Sequence, residues 1–406
     1  MRTIRCTLIA LALAGCAALP GRAAAQAGGA ITSIVVESDA HPAALSAARM
    51  IAQALGVPDA RIVRERRVGV PAAGALVLDY GKPSKEQTAF IGRDPQSVKL
   101  DGYLIRFDGD RALVFGKRPR SLLYAAGDAG LWKGRTQGVY VREPAFETRD
   151  VNLGDTDVAT LVAQTGANVV IGRFDADFVT LRDAFPRVYA QLAPADRERI
   201  LREKEEISQR AARMAAACHD ADIDFYPFLY GNDMARWSPA LMKAVYAVYP
   251  DIRGVRAPHS WEKASLNPAL PETWKLIDAF VTEFVTTLHG DGLVATFWDS
   301  YGLYSQDSLS VAAGLDEFNA EIGKNVDVYY QALHRLGKPL IVRTWSSGRA
   351  HWVTLRNNQG QFEHQFVHAP GYGGFSGTRT DLWKDVIQNV PASVMLQTKV
   401  YFSDCF

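Results

Sequence analysis

The sequence predicts an α/β protein made of a small N-terminal α/β domain followed by a (β/α)8-type barrel. Two observations predict this fold. The first is a hairpin signal, in which β-rich runs at 102–107 and 111–116 flank an Asp-Gly turn at 108–110. The second is a series of apolar strands that alternate with polar helices after residue 147. Such alternation is typical of a parallel sheet, and a long series favours a barrel.

The first part covers residues 31–147. Its predicted strands are the two arms of the hairpin and the apolar runs at 31–37 and 75–79. An amphipathic helix is predicted over 42–55, because Gly56 follows the last apolar residue. A second helix is predicted over 121–132, where apolar residues recur at helical spacing.

The second part covers residues 148–406 and contains seven predicted strands. They lie at 149–153, 167–174, 224–230, 252–257, 292–297, 338–344 and 394–400. Helices are predicted at 193–219, 271–288, 316–336 and 382–389. Since no eighth strand and helix can be found, the barrel is expected to be incomplete at its C-terminus, closed in an unusual way, or miscounted by one strand within 149–190.

Residues 1–25 predict a bacterial export signal. Arg2 and Arg5 precede an apolar run at 8–14, and small residues follow. The alanines at 23–25 suit ordinary signal cleavage, whereas the Leu-Ala-Gly-Cys sequence ending at Cys16 resembles a lipoprotein box that would leave a lipid there. Both alternatives stay open. Either one predicts a protein exported from a bacterial cytoplasm, to the periplasm or the medium.

Composition disfavours several classes of partner. A net charge of +1 gives no general attraction to nucleic acid, and no apolar span after the leader is long enough for a transmembrane helix. Only Cys218 and Cys405 remain beyond the leader, which favours free thiols over a zinc site. The motifs of serine hydrolases, zincins and thiol oxidoreductases are missing. We therefore expect neither a cofactor nor a resident metal.

The stretch 292–304 carries the clearest signal of function. An apolar run ends there in Trp298, Asp299 and Tyr301. Barrel enzymes build their sites from side chains at the C-terminal ends of buried strands. Aromatic faces pack on sugar rings, and carboxylates bind their hydroxyls or protonate glycosidic oxygens. The alternative interpretation is a core strand whose Asp299 caps the next turn.

Other predicted strand ends carry similar side chains, and a barrel would gather them at one rim. Glu262 is the candidate second carboxylate. The candidate substrate-binding residues are Tyr230, Asn232, His259, Trp298, Tyr301, Arg343, Trp345, Lys399 and Asp404. A lysine within a strand, such as Lys399, is costly unless it is paired with an acid or an anionic substrate.

Asp155 and Asp157 lie at the end of the first predicted barrel strand. The simpler interpretation is that they cap the helix that follows, as Asp often does. A less favoured hypothesis is a metal-dependent enzyme in which these two carboxylates and His259 bind the ion.

Residues 101–132, DGYLIRFDGDRALVFGKRPRSLLYAAGDAGLW, resemble the domain that precedes the barrel in family 67 α-glucuronidases and family 20 hexosaminidases. The barrel looks like a distant α-glucuronidase through ATFWDSYG, LIVRTWSSG and VMLQTKVYFSD. This resemblance implies that Asp299 activates water. The family's general acid is a Glu at an earlier strand end, where FYPFLYGNDMARW has Asn232 and Asp233 instead. The acid role would then fall to Glu262 or Asp233, or be absent from this chain.

The resulting hypothesis is an exported glycoside hydrolase, α-glucuronidase-like, that acts on polysaccharide-derived oligosaccharides. Asp299 would be the base or nucleophile and Glu262 the acid. The second hypothesis is a carbohydrate-binding protein without turnover on a degenerate or truncated barrel. It rests on the unmatched family acid and the missing eighth unit.

Overall fold

The computed structural model describes residues 30–132, 134–230, 237–254, 266–296, 312, 318–345, 352–356, 362–366 and 391–399. They form two six-stranded sheets and one two-stranded hairpin. The predicted leader and the predicted helix at 382–389 lie outside them. Within the described part of the chain, no helix is long and apolar enough to cross a bilayer.

The first sheet is mixed. Its strands are β1 (Ser33–Glu37), β2 (Ile62–Glu65), β3 (Ala75–Tyr80), β4 (Tyr103–Asp108), β5 (Arg111–Gly116) and β6 (Gln137–Arg142). Their order is β2-β1-β3-β5-β4-β6, and β4 runs antiparallel to both of its neighbours. Gly109 has φ +69° in the turn between β4 and β5, a conformation that glycine adopts without strain. The predicted hairpin is confirmed.

Three helices cover the first sheet or follow it: α1 (Pro42–Leu55), α2 (Lys85–Ile91) and α3 (Pro119–Gly127). Helix α1 has the predicted bounds. The pattern missed α2, whose start is fixed by reciprocal bonds between Ser84 and Gln87. Helix α3 begins and ends earlier than predicted. A Cβ at its last residue, Gly127, would lie 1.8 Å from the Ala163 carbonyl oxygen, so glycine permits the close approach there.

The second sheet is parallel throughout. Its strands are β7 (Asp150–Asn152), β8 (Val169–Arg173), β9 (Asp224–Tyr230), β10 (Leu293–Thr296), β11 (Leu340–Trp345) and, after an antiparallel pair β12 (Trp352–Arg356) and β13 (Phe362–Phe366), β14 (Met395–Lys399). The order is β14-β11-β10-β9-β8-β7. The side-chain oxygen of Thr148, just before β7, lies 3.5 Å from the sulfur of Met395 in β14. The sheet therefore curls until its two ends meet.

Helices accompany this sheet in the expected alternation. They are α4 (Val158–Thr165), α5 (Pro186–Gln191), α6 (Pro194–Asp220), α7 (Pro239–Val248), α8 (Pro271–Thr287) and α9 (Phe318–Arg335). Strand residues such as Val170 and Phe225 join one buried cluster with Phe280 of α8. Their neighbours Ile171 and Phe228 belong to a separate cluster inside the curl. Since adjacent strand residues face opposite sides, helices lie outside and side chains fill the interior. The predicted α/β barrel class is confirmed.

One predicted strand is wrong where the structure describes it. In place of a strand from residue 252, Pro250–Ile252 forms a 3-10 turn and Arg253 makes a single antiparallel bridge to Leu266. Strand β9 pairs directly with β10, so no strand lies between them. Ile252 is buried in the cluster that packs between the sheet and its helices. A buried turn therefore contributes an apolar residue that resembles the start of a strand in the sequence. Residues 255–257 lie outside the described part of the chain.

Candidate functional site

The strand pairing aligns two rows of residues across the inside of the curled sheet. The lower row consists of Arg173, Phe228, Val294, Ile341 and Met395, in neighbouring strands. Two residues nearer the C-terminal strand ends, the upper row consists of Tyr230, Thr296, Arg343 and Gln397. Residues two apart on a strand share a face, so the rows are successive layers of one interior. At the next step, Trp345 pairs with Lys399.

The interior changes from apolar to polar between these rows. Val294 and Ile341 in the lower row are buried hydrophobic side chains, whereas Thr296 and Arg343 above them are buried polar ones. Arg343 is 8% exposed. Burying a hydroxyl or a guanidinium costs free energy unless it is hydrogen-bonded or paired. This polar layer lies at the end of the sheet where barrel enzymes place their sites, which makes it the candidate site.

Two guanidinium groups converge on one aromatic ring. The Cζ atoms of Arg173 and Arg343 lie 5.3 and 5.4 Å from the centroid of the Phe228 ring. Tyr230 packs edge-on against the same ring, with 4.9 Å between centroids. The negative face of an aromatic ring attracts such cations. Both guanidinium groups therefore pack against the same ring inside the curl of the sheet.

Thr296 adds an unusual polar atom to the upper row. Its side chain is fully buried, and Oγ1 has no hydrogen-bond partner among the residues that the structure describes. An unsatisfied buried hydroxyl costs roughly 1–3 kcal/mol, which is reason to look for a partner that binds from outside the protein.

A cavity opens at the C-terminal ends of β7 and β8. Its volume is about 400 Å³, and it is lined by Asn152, Leu153, Gly154, Ile171, Gly172, Arg173 and Met214. Arg173 is the charged member of this lining, and its side chain is exposed. The volume falls in the usual range for small-molecule sites. A small polar ligand in this cavity would meet a guanidinium on one wall and apolar side chains on another.

The structure brings together part of the predicted site. Tyr230 and Arg343 lie in the upper row, and Trp345 pairs with Lys399 one step nearer the rim. The other predicted residues lie outside the described part of the chain: Asn232, His259, Glu262, Trp298, Asp299, Tyr301 and Asp404. The roles of the two carboxylates stay predictions.

Asp157 has the simpler of its two predicted roles. Its Oδ1 accepts a hydrogen bond of 3.0 Å from the backbone N–H of Thr160, so it is the N-cap of α4. Burial raises the pKa of its carboxyl, but the bonds from Thr160 and nearby backbone N–H groups outweigh burial and leave the pKa below its usual value. Asp155 is exposed. The capping interpretation is confirmed for Asp157, and the metal hypothesis loses one ligand.

Arg173 and Thr296 were not recognised in the sequence. Arg173 ends the apolar run VVIGR, and a charged residue at the end of a buried strand was the signal available. Thr296 lies inside an apolar β-rich run, where threonine is an ordinary residue. Its significance depends on Oγ1 having no hydrogen-bond partner among the described residues, which only the three-dimensional structure reveals.

No protein-family model and no curated protein sequence matches the chain. Among the solved structures with a similar backbone are three from bacteria. A β-N-acetylhexosaminidase from Bacteroides fragilis is 12% identical, with 92% of this chain and 71% of that chain aligned and a TM-score of 0.48. A β-hexosaminidase from Streptomyces plicatus is 12% identical, with 92% of this chain and 72% of that chain aligned and a TM-score of 0.49. A family 20 exo-β-N-acetylglucosaminidase from Vibrio harveyi is 12% identical, with 77% of this chain and 51% of that chain aligned and a TM-score of 0.46. The chain spans about half the length of the Vibrio enzyme.

Proposed function

We propose that the protein is an exported glycoside hydrolase, α-glucuronidase-like, that cleaves glycosidic bonds in oligosaccharides carrying an acidic sugar. The observation that supports this most is the upper row, in which Tyr230, Thr296 and Arg343 form a polar layer above the apolar interior of the sheet. A site that alternates an aromatic ring, a hydroxyl and a guanidinium suits a carbohydrate better than an apolar ligand.

The guanidinium groups favour a substrate with a carboxylate. The Cζ atoms of Arg173 and Arg343 lie 5.3 and 5.4 Å from the centre of the Phe228 ring, so the two guanidinium groups are near neighbours. Arginine binds carboxylates through two parallel N–H···O bonds, which fixes orientation as well as charge. In the proposed complex, these two arginines bind the carboxylate of a uronic acid and the Thr296 hydroxyl bonds a sugar hydroxyl.

The chemistry would be supplied by two carboxylates. Asp299 follows the end of β10 by three residues in the sequence, and the proposal assigns it to the rim formed by the C-terminal strand ends. In the expected reaction, Glu262 protonates the glycosidic oxygen as the bond to the anomeric carbon breaks. Asp299 takes a proton from the water that attacks that carbon, or attacks it directly and is later released by water.

The test is turnover by the purified mature protein. Aldouronic oligosaccharides from glucuronoxylan, neutral xylo-oligosaccharides and an aryl N-acetylglucosaminide are incubated with it, and released sugars are quantified. We expect release from the acidic substrates. Asp299→Asn should lower kcat by about 10²–10⁴, the usual contribution of a catalytic acid or base. Asp183→Asn, at an exposed acid, is the matched control. Full activity of Asp299→Asn would refute the assignment.

The second candidate is a carbohydrate-binding protein without turnover. It is favoured by the sequence around residues 225–237, which offers Asn232 and Asp233 where the resembling family has its catalytic Glu. Calorimetry on the same oligosaccharides distinguishes the two. Binding heat that depends on Arg343, together with no sugar release, would support the second candidate, whereas turnover would discard it.

A further inference from the structure

Strand β2 forms one edge of the first sheet, and arginines are concentrated within it and in the residues that directly precede and follow it. Arg61, Arg64, Arg66 and Arg67 are all exposed, and Glu65 is the one acid among residues 61–67, which leaves a net charge of +3. Strand β2 pairs with β1, and among the described strands it has no neighbour on its other side. We call these four residues the arginine edge.

The arginine edge is not neutralised within the described part of the chain. None of its four guanidinium groups has an ion pair or hydrogen bond there. Elsewhere on the surface, by contrast, Arg199 bonds Glu203 at 2.9 Å. Several unpaired positive charges on one short segment create a local positive potential although the whole protein is nearly neutral.

Protection of an open edge does not explain the arginine edge fully. Natural proteins place charges on edge strands to prevent pairing with other strands, and lysine is the usual choice. Here all four cations are arginines. Arginine is the better residue for binding carboxylates, because its planar group donates two parallel hydrogen bonds. The choice of residue therefore points to recognition of an anionic chain.

We propose that the arginine edge binds an anionic polysaccharide that bears carboxylates along its length. Strand β2 is extended over residues 62–65, with Arg61 directly before it and Arg66 and Arg67 directly after it, so the exposed cations are grouped along one short edge that a polyanion can contact. The choice of a polysaccharide rests on the proposed function, since such a polymer would carry the acidic sugars that the barrel cleaves. The edge would then hold the enzyme on its polymer.

An acidic peptide that adds as a further strand is the competing occupant, and the surface suits it less well. Strand addition needs pockets for alternate side chains in addition to backbone bonds. On β2 the exposed apolar residue is Val63, at 41% exposure, and Arg64 and Glu65 follow it. A single small apolar contact gives little specificity for a strand, whereas it does not hinder a polysaccharide.

The experiment compares two variants of the full mature chain that have lost equal charge. The first combines Arg61→Gln, Arg64→Gln, Arg66→Gln and Arg67→Gln. The second combines Arg49→Gln, Arg187→Gln, Arg202→Gln and Arg213→Gln, at exposed arginines that are dispersed over helices α1, α5 and α6. Binding of polygalacturonate, neutral dextran and poly-L-glutamate is measured by affinity electrophoresis at two salt concentrations.

We expect the first variant to bind polygalacturonate roughly tenfold more weakly than the wild type at low salt, because exposed ion pairs are individually weak but four are lost together. The dispersed variant should bind like the wild type, and salt should weaken only the binding that depends on the edge. Equal losses in both variants would overturn the proposal. So would tighter, edge-dependent binding of poly-L-glutamate, which would indicate a peptide partner.

Failure of the proposed function gives a different result. If the wild type cleaves no glycoside but its polygalacturonate binding still depends on the arginine edge, the binding proposal is supported and the proposed hydrolase function is refuted. If the wild type cleaves acidic oligosaccharides while both variants bind polygalacturonate normally, the hydrolase stands and the edge proposal falls.

Discussion

Nη2 of Arg149 donates hydrogen bonds to both carboxylate oxygens of Asp101, at 2.8 and 2.7 Å, and so joins the two sheets of the molecule. Asp101 precedes β4 of the first sheet, and Arg149 precedes β7 of the second. Arg120 Nε donates to the same carboxylate at 2.7 Å, as does the Tyr124 hydroxyl at 3.1 Å. Because Asp101 is 3% exposed, this contact lies in the interior between the N-terminal domain and the barrel.

Asp101→Asn should destabilise the whole protein. The variant keeps the shape of the side chain but leaves the largely buried Arg149 guanidinium without a charged partner among the described residues. Arg120 keeps only Asp222, whose Oδ2 lies 3.8 Å from its Nη1, and leaving a buried charge uncompensated typically costs about 3–5 kcal/mol. The free energy of unfolding is measured by urea titration. Asp183→Asn breaks an exposed pair with Arg182 and should leave the midpoint unchanged. Equal midpoints for both variants would show that the buried pair contributes nothing.

The same carboxylate should make stability depend on acid pH. Burial raises the pKa of Asp101, but the bonds and charges of Arg149 and Arg120 outweigh burial, so the pKa lies below its usual value. A lowered pKa gives stability that is present above the unfolded pKa of about 3.9 and is lost as the pH falls through the folded pKa.

The measurement is the urea midpoint of the wild type and of Asp101→Asn between neutral pH and pH 2.5. The difference between them should be largest at neutral pH and shrink below about pH 4. Asp224, whose pKa is raised mainly by burial, contributes with the opposite sign in both proteins. A difference that stays constant with pH would contradict the role of the charged carboxylate.

The regular elements could be predicted because their patterns reflect burial. Helix α1 has apolar residues at helical spacing and ends at a glycine. The β4–β5 hairpin has two apolar strands joined by a turn that contains a glycine. In both elements the local sequence preference and the burial pattern indicate the same structure. The short helices α5 and α7 have too few residues to display a clear period. The strand predicted from residue 252 failed because a short apolar run does not distinguish a strand from a buried turn.

The candidate site was predictable only in part. Tyr230 and Arg343 were found because a chemically active residue at the end of an apolar run is visible in the sequence. That both Arg173 and Arg343 approach Phe228 was not visible, because it depends on the register across four strands. The polar layer arises only when the strands are paired in the correct register, and the residues of one strand alone do not reveal which residue of the next strand will lie beside them.

Glu283 of α8 should hold the segment that follows β8. Its Oε1 accepts hydrogen bonds from the backbone N–H and the hydroxyl of Thr180, at 3.0 and 2.8 Å, and its Oε2 accepts one of 2.7 Å from the Leu181 N–H. Lys204 pairs with it at 2.6 Å. Leu181 has φ +56°, a strained conformation for leucine that these bonds help to maintain.

Glu283→Gln should therefore loosen this segment, since an uncharged amide accepts weaker bonds than a carboxylate and its NH₂ group opposes the donors. We expect a loss of about 1–3 kcal/mol in unfolding free energy and faster amide exchange at Thr180 and Leu181. Glu203→Gln, which breaks an exposed pair with Arg199, is the control. Unchanged exchange at both amides would mean that other contacts hold the segment.

Thr296→Val should separate binding from stability. Valine has nearly the same shape, and because Oγ1 of Thr296 has no partner among the described residues, replacing it should leave stability unchanged or raise it by up to about 1 kcal/mol. Thr180→Val is the matched control at another buried threonine. It removes a hydroxyl that donates to Glu283 and should cost about 1.5–3 kcal/mol.

If the Thr296 hydroxyl meets a sugar hydroxyl, Thr296→Val should also raise KM for the acidic oligosaccharide by roughly two- to tenfold, the effect of one neutral hydrogen bond. Thr180→Val, which lies away from the upper row, should not change KM once the protein is folded. A Thr296→Val variant that is less stable than the wild type but has an unchanged KM would show that the hydroxyl stabilises the folded protein and does not bind substrate. A hydroxyl that binds only substrate would change KM and leave the stability of the free protein unchanged.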